Sequence, residues 1–196
     1  MPTYFAFHLL SRLFESNYYL SYYYILNTRI TYTIITQQSM GGLPMGKIND
    51  LIVLGMLSGL LAGIPGKLLN LAEYHFRLTD MTYTQHASTL FLSKDESNRW
   101  AGKLVGSMTN TMGLFLVGIT TSLLLQRTGR NFAPLKGTGV AYTYGLLLEG
   151  VLPRMGIVAK PRKPLSYPLA LIDHTILGSL CGLFVSRLGS DSLFSS

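Results

Sequence analysis

Only one cysteine, Cys181, occurs in the 196 residues. A lone thiol cannot close a disulfide within the chain, and it excludes a multi-cysteine zinc or iron–sulfur site. It sits mid-run among apolar residues, where inert packing is its expected role. Charge is also scarce: 13% of residues are Asp, Glu, Lys or Arg, against roughly 25% in an ordinary soluble domain. That shortage argues against a disordered chain, a nucleic-acid-binding tail or a typical soluble enzyme. Acids are the scarcer sign, 9 against 16 Lys and Arg. A net charge of +7 and a pI near 9.6 would suit a nucleic-acid binder, but 48% hydrophobic residues and a mean hydropathy of +0.31 fit an integral membrane protein better. Catalytic signatures are missing as well. Residues 129–139 hold glycines and a Lys without the Gly-Lys-Ser/Thr end of a phosphate loop, and no Gly-x-Ser-x-Gly elbow is present. The four His, at 8, 75, 86 and 174, show no zinc-ligand spacing. No catalytic residue, cofactor, metal or nucleic-acid partner is therefore expected.

What is present is apolar length. A helix needs about 20 mostly apolar residues to cross a bilayer core. Four segments approach this, over about 51–71, 102–125, 135–152 and 168–188. The third is short, holds Lys136, Glu149 and several Gly, and is bounded by Pro134 and Pro153. Its alternative reading is a re-entrant or surface helix. The expected fold class is all-α, an integral membrane bundle of four transmembrane helices with the lipid bilayer as its surroundings. The connections agree. Ser93 and Glu96 have capping-box spacing, and Trp100 suits a membrane interface. The stretch 78–92 mixes Thr, Gln85 and His86 with Leu90, Phe91 and Leu92. It reads as a short helix lying on the membrane surface or tucked under the bundle.

The first 44 residues differ in kind. Seven of the twelve Tyr fall between Tyr4 and Tyr32, with no helical stripe, basic start or small-residue cleavage site. Gly41-Gly42 requires codons that can spell a purine-rich ribosome-binding site, at suitable spacing before Met45. The expectation is a natural start at Met45, with 1–44 a mis-called Tyr-rich segment and 45–196 the transmembrane domain.

Two patterns recur inside the spans. Gly55, Gly59 and Gly63 share one helix face, and Gly102 with Gly106 and Gly178 with Gly182 repeat the spacing. Small residues let backbones approach closely in lipid. The expected use is tight packing within one bundle; homo-oligomerisation is the alternative. Pro65-Gly66 is expected to kink the first helix. The second pattern is buried charge. Lys and Asp cost roughly 2.5–3.5 kcal/mol each at a helix centre. Alternation of spans brings Lys67, Asn70, Glu149, Asp173 and His174 to similar depth in one half of the bilayer. Lys67 is expected to pair with Glu149 or Asp173, leaving His174 able to titrate. The bland alternative is that each side chain reaches the interface alone.

Three stretches carry a resemblance: Asp50-Leu-Ile-Val-Leu-Gly55 with Gly59 and Gly63, Gly129-Arg-Asn-Phe-Ala-Pro-Leu-Lys-Gly137, and Asp173-His174. From Met45 onward the chain resembles a family of small, uncharacterised four-span membrane proteins of Gram-positive, often anaerobic, bacteria. The resemblance covers about three-quarters of the chain and implies a multi-pass protein of a bacterial cytoplasmic membrane. It carries no activity over.

The composition leads first to a non-enzymatic scaffold or partner-binding membrane protein. A small transporter or channel using the intramembrane charges comes second, and a membrane enzyme third. Lys47, Arg127, Arg130, Lys136 and Arg187 fall on the side of the termini; Arg77, Lys94, Arg99, Arg154, Lys160, Arg162 and Lys163 fall opposite. Raw count leans towards termini outside. Weighting short loops near span ends, with Lys47 ahead of the first span, gives the expected orientation, termini inside.

Overall fold

The computed structural model describes residues 47–194. The expected start at Met45 and the Tyr-rich segment lie outside the described residues. Helix α1, Leu51–His75, begins where Asp50 folds back to accept the backbone N–H of Ile52 and Val53 at 2.8 and 2.9 Å. This cap satisfies two of the donors that every helix start leaves over. The helix runs on through Pro65 to His75, is capped at Phe76, and the chain turns away at Arg77, whose φ is +58°. A short helix α2, Tyr83–Ser88, and a single turn α3, Lys94–Ser97, follow, each opened by a capping box, Thr82 with Gln85 and Ser93 with Glu96. Helix α4, Trp100–Thr128, is the longest and stops at Gly129, φ +74°. At 1.5 Å per residue it is about 43 Å long, so it overreaches a 30 Å hydrocarbon core. Helix α7, Ser166–Leu188, comes last of the long helices. Helices α1, α4 and α7 are each long and apolar enough to cross a membrane. Among the described residues the only bridge of β type is an isolated parallel one between Ile48 and Gly189.

The expected third span is not one uniform helix. It comprises α5, Ala133–Gly145, a π-helical turn over Leu146–Val151, and a last turn α6, Leu152–Arg154. Pro134 sits in the first turn, where its missing N–H costs nothing. Pro153 explains the wide turn. It has no N–H to give the Glu149 carbonyl, and its ring crowds that carbonyl in a regular α-helix. The backbone widens instead, and the Leu152 N–H reaches back five residues to the Leu147 carbonyl.

The helices pack through their small residues. A Cβ added at Gly55 would lie 2.6 Å from the Ile119 Cα, and one at Gly59 would strike the Leu114 carbonyl. Gly63 faces the Leu114 side chain, so all three meet α4. Gly178 and Gly182 face α5, with 2.5 Å from an added Cβ to the Thr138 Cα and a clash with the Ala133 carbonyl. Gly102 and Gly106 instead admit the small elements, against the backbone of Glu96–Ser97 and of Thr84. Leu54, Val117, Leu125, Cys181 and Val185 fill the core, all but inaccessible. Outward faces are apolar: Met108, Met112, Leu116 and Leu123 form one exposed stripe of α4, as lipid rather than water would require.

Bonds between connections close both ends. Arg130 donates to Asp191 Oδ1 at 2.5 Å and to the Gly189 carbonyl at 2.8 Å, and its guanidinium lies 4.3 Å from the Phe194 ring centroid. Lys47 donates to the other Asp191 oxygen at 2.5 Å. At the opposite end the Ala159 N–H donates to Thr89 Oγ1, the Arg162 N–H to Asp80 Oδ1, and Lys163 to the Arg77 carbonyl.

Candidate functional site

The site begins with α2, which a capping box opens. The Thr82 N–H donates to Gln85 Oε1 at 2.8 Å, and the Gln85 N–H returns to Thr82 Oγ1 at 3.2 Å. Gly106 lets the Thr84 backbone settle directly on α4. This aims Tyr83 inward, where two long helices hold it. Its N–H donates to Asn70 Oδ1 on α1 at 2.7 Å, and its hydroxyl donates to Asp173 Oδ2 on α7 at 2.6 Å. Burial first, then the neighbouring Asp173 carboxylate, raises the Tyr83 phenol far above its ordinary pKa, so it stays a donor.

Asp173 is 2% exposed, and its second oxygen, Oδ1, has no hydrogen-bond partner. Beside it, the His174 ring stands edge-on to Tyr83 with centroids 6.3 Å apart. His174 Nδ1 is 2.7 Å from the Ala170 carbonyl. A carbonyl only accepts, so Nδ1 carries the proton, and in the neutral ring Nε2 keeps a lone pair. Gly145 makes room for this imidazole: an added Cβ would come within 2.9 Å of Nε2.

Lys67, Glu149, Asp173 and His174 line one cavity of ≈ 70 Å³, with Tyr83 and His86 on its wall. That volume holds several waters. Asn70 lies on a second, adjoining cavity of ≈ 30 Å³, and Tyr83, His86 and Glu149 face both. The five polar residues singled out by depth are thus gathered around two neighbouring cavities. Ion pairs among the described residues include Lys47–Asp191, Lys94–Asp80 and Arg130–Asp191, and the expected pairing of Lys67 with Glu149 or Asp173 is not among these three. Asp173 takes the Tyr83 hydroxyl instead, because α2 delivers a donor directly to it.

No family model, curated protein or solved structure matches this chain.

Three contributors escaped the sequence: Tyr83, His86 and the π turn that carries Glu149. The stretch 78–92, expected on the membrane surface or tucked under the bundle, packs against α4, and its role as a wall of the site is new. Burial lowers the pKa of the His86 imidazole, favouring its neutral form. π-helical turns recur at functional sites, and here the turn sets a carboxylate between two cavities. Among the described residues no group of three or more His, Cys, Asp or Glu converges to hold a metal ion. The arrangement can bind water, exchange protons and attract a small cation.

Proposed function

We propose that this chain is a four-span, non-enzymatic protein of a bacterial cytoplasmic membrane that passes protons or small ions by way of its buried polar cavity. The fourth crossing would be residues 133–154. Gly145, Val151 and Leu152 keep helical backbone angles, and the segment is at most about 33 Å long at the α-helical 1.5 Å per residue. Two-ended closure of the connections, as four passes require, supports the same count. The bacterial setting is supported by the motif resemblance.

One observation carries transport ahead of scaffolding. Asp173 is buried with an oxygen left over, on the wall of a cavity shared with Glu149, His174 and Lys67. Ionisable groups at membrane depth are costly and mark ion and proton pathways. The second Asp173 oxygen is left for the water of that cavity. A scaffold or partner-binding protein needs no such cavity. The glycine faces that could serve a homo-oligomer are occupied within the chain.

Reconstitution into liposomes tests the proposal. The wild type should dissipate an imposed proton or sodium gradient faster than empty vesicles, and folded Asp173→Asn should not. Wild-type flux equal to that of empty vesicles would remove the transport reading and return scaffolding to first place.

A further inference from the structure

We propose that the two cavities form one proton inlet, entered from the end that carries the 76–99 and 155–165 connections and reaching Asp173 by way of His86. The proposal rests on the transport reading above and names the proton as the substrate of that site. The smaller cavity lies at that end: Thr79, Asp80 and Pro161 on its wall belong to the connections, and Ser166 opens α7. The larger cavity reaches Gly63 and Leu177. Leu177 lies about 16 Å along α7 from Ser166 at 1.5 Å per residue, which is the middle of a hydrocarbon core of about 30 Å. Beyond it Leu54, Leu125, Cys181 and Val185 fill the core. The two cavities in series therefore span one half of the bilayer.

Buried polar atoms without hydrogen-bond partners mark the route. Thr79 Oγ1 and Ser166 Oγ lie on the smaller cavity and Asp173 Oδ1 on the larger, while His86, whose Nε2 has no partner, lines both. Thr79 is 6% and Asp173 2% exposed. Such atoms are normally bonded to protein or ordered water. The volumes of ≈ 30 and ≈ 70 Å³ hold roughly two and roughly five waters. Of the residues that face both cavities, Tyr83 commits its hydroxyl to Asp173, whereas His86 brings a nitrogen with nothing bonded to it.

The chemistry of that nitrogen selects the proton. Imidazole is a poor ligand for hard alkali cations, but it takes and releases protons near neutral pH. The bond between His86 and the Ala159 backbone favours the charged ring, so a carbonyl accepts it. The N–H then sits on Nδ1, and Nε2 keeps a lone pair. Burial, the larger influence, keeps the ring neutral until a proton arrives. A proton on a water of the smaller cavity adds to Nε2 and gives an imidazolium. The same proton leaves Nε2 for a water of the larger cavity and passes to Asp173 Oδ1. Charge moves with it, and nothing is oxidised or reduced. Around His86, α1 brings Lys67 and Glu73, and the connection brings Asp80, already paired with Lys94. Tyr144 comes from α5, Glu149 from the π turn, and Asp173 and His174 from α7. The polar residues of α4 on this wall, Thr109 and Asn110, do not titrate.

Flux and protonation are measured separately. In liposomes carrying the full chain, an imposed pH gradient should collapse faster than in empty vesicles, and a sodium gradient should not. His86→Gln should slow proton flux by at least about tenfold. His75→Gln, at an exposed position of α1, should leave it unchanged. Gel filtration and circular dichroism check the fold, and His86→Asn replaces a His86→Gln that does not fold. In detergent, magnetic resonance of the isotope-labelled imidazole nitrogens, assigned by loss of the signal in the His86 variant, should show His86 titrating below the ordinary imidazole range, its neutral proton on Nδ1. Wild-type proton flux in the folded His86 variant, or a neutral ring protonated on Nε2, would overturn the inlet. A His86 that does not titrate would overturn it too and leave structural water as the occupant. Sodium flux without proton flux overturns the inlet and keeps the transport reading. No flux of either ion with a titrating His86 removes transport and leaves the proton site standing.

Discussion

Replacing Tyr83 by Phe deletes one oxygen and leaves ring, backbone and the bond to Asn70 in place. The hydroxyl it removes donates at 2.6 Å to a carboxylate that is 2% exposed. Hydrogen bonds to charged groups contribute about 1.5–3 kcal/mol in soluble proteins. Inside membrane proteins the measured coupling averages about 0.6 and reaches about 1.7 kcal/mol, because the unfolded reference also finds partners. The Tyr83 bond belongs near the upper membrane figure. Asp173 Oδ1 has no partner to take over the load, and Tyr83 is the only side chain bonded to the carboxylate among the described residues. Tyr83→Phe should therefore cost about 1–2 kcal/mol. The assay is denaturant unfolding in micelles, run as a double-mutant cycle with Asp173→Ala. Once Asp173 is Ala, Tyr83→Phe should cost almost nothing more. Losses that add to within about 0.3 kcal/mol would refute a direct bond and with it the role given to α2.

Other predictions test the packing, the chain ends and the orientation. Gly118→Ala would push a methyl into the Gly55 carbonyl. It should destabilise by about 1–3 kcal/mol, measured by the same unfolding assay, and a neutral result would mean that α1 and α4 are not in backbone contact. Hydrogen bonds from Lys47 and then Arg130 hold the Asp191 carboxylate below its ordinary pKa. A depressed folded pKa stabilises above the unfolded value and is lost as pH falls through the folded one. Asp191→Asn should thus weaken the fold at neutral pH, with the deficit shrinking below about pH 4; a deficit unchanged in strong acid would contradict it. Single cysteines at Arg130 and Lys160 should label from opposite sides of the membrane, with position 130 inside. External labelling of 130 would invert the orientation, and labelling of both from one side would break the four-pass count.

The long helices were legible because crossing a bilayer demands a run that composition cannot hide. Leu51, Trp100 and Ser166 open helices within two residues of the expected spans. The third segment was legible in extent but not in form. Pro153 reads from sequence as a terminator, and only the folded chain reveals that the helix absorbs it with a wider turn. The depth of Lys67, Asn70, Glu149, Asp173 and His174 followed from alternation and 1.5 Å per residue. The bond from Tyr83 did not follow, because this donor to Asp173 comes from outside the spans. Helical depth arithmetic is silent about a connection that folds back, and the Thr82–Gln85 capping box that fixes the direction of Tyr83 was not read from the sequence.

The glycine contacts divide the molecule mechanically. Within α1–α4 and within α5–α7 backbone lies against backbone, and a single methyl has nowhere to go. Between the two pairs the contacts are made by side chains: an added Cβ at Gly66 would lie 3.9 Å from the Asp173 carbonyl, and one at Gly113 would meet the Tyr144 hydroxyl. The two pairs meet face to face, and both cavities lie between them. Tyr83 bridges the pairs, touching α1 through its backbone N–H and α7 through its hydroxyl. The polar site is thus also a tie between the two helix pairs.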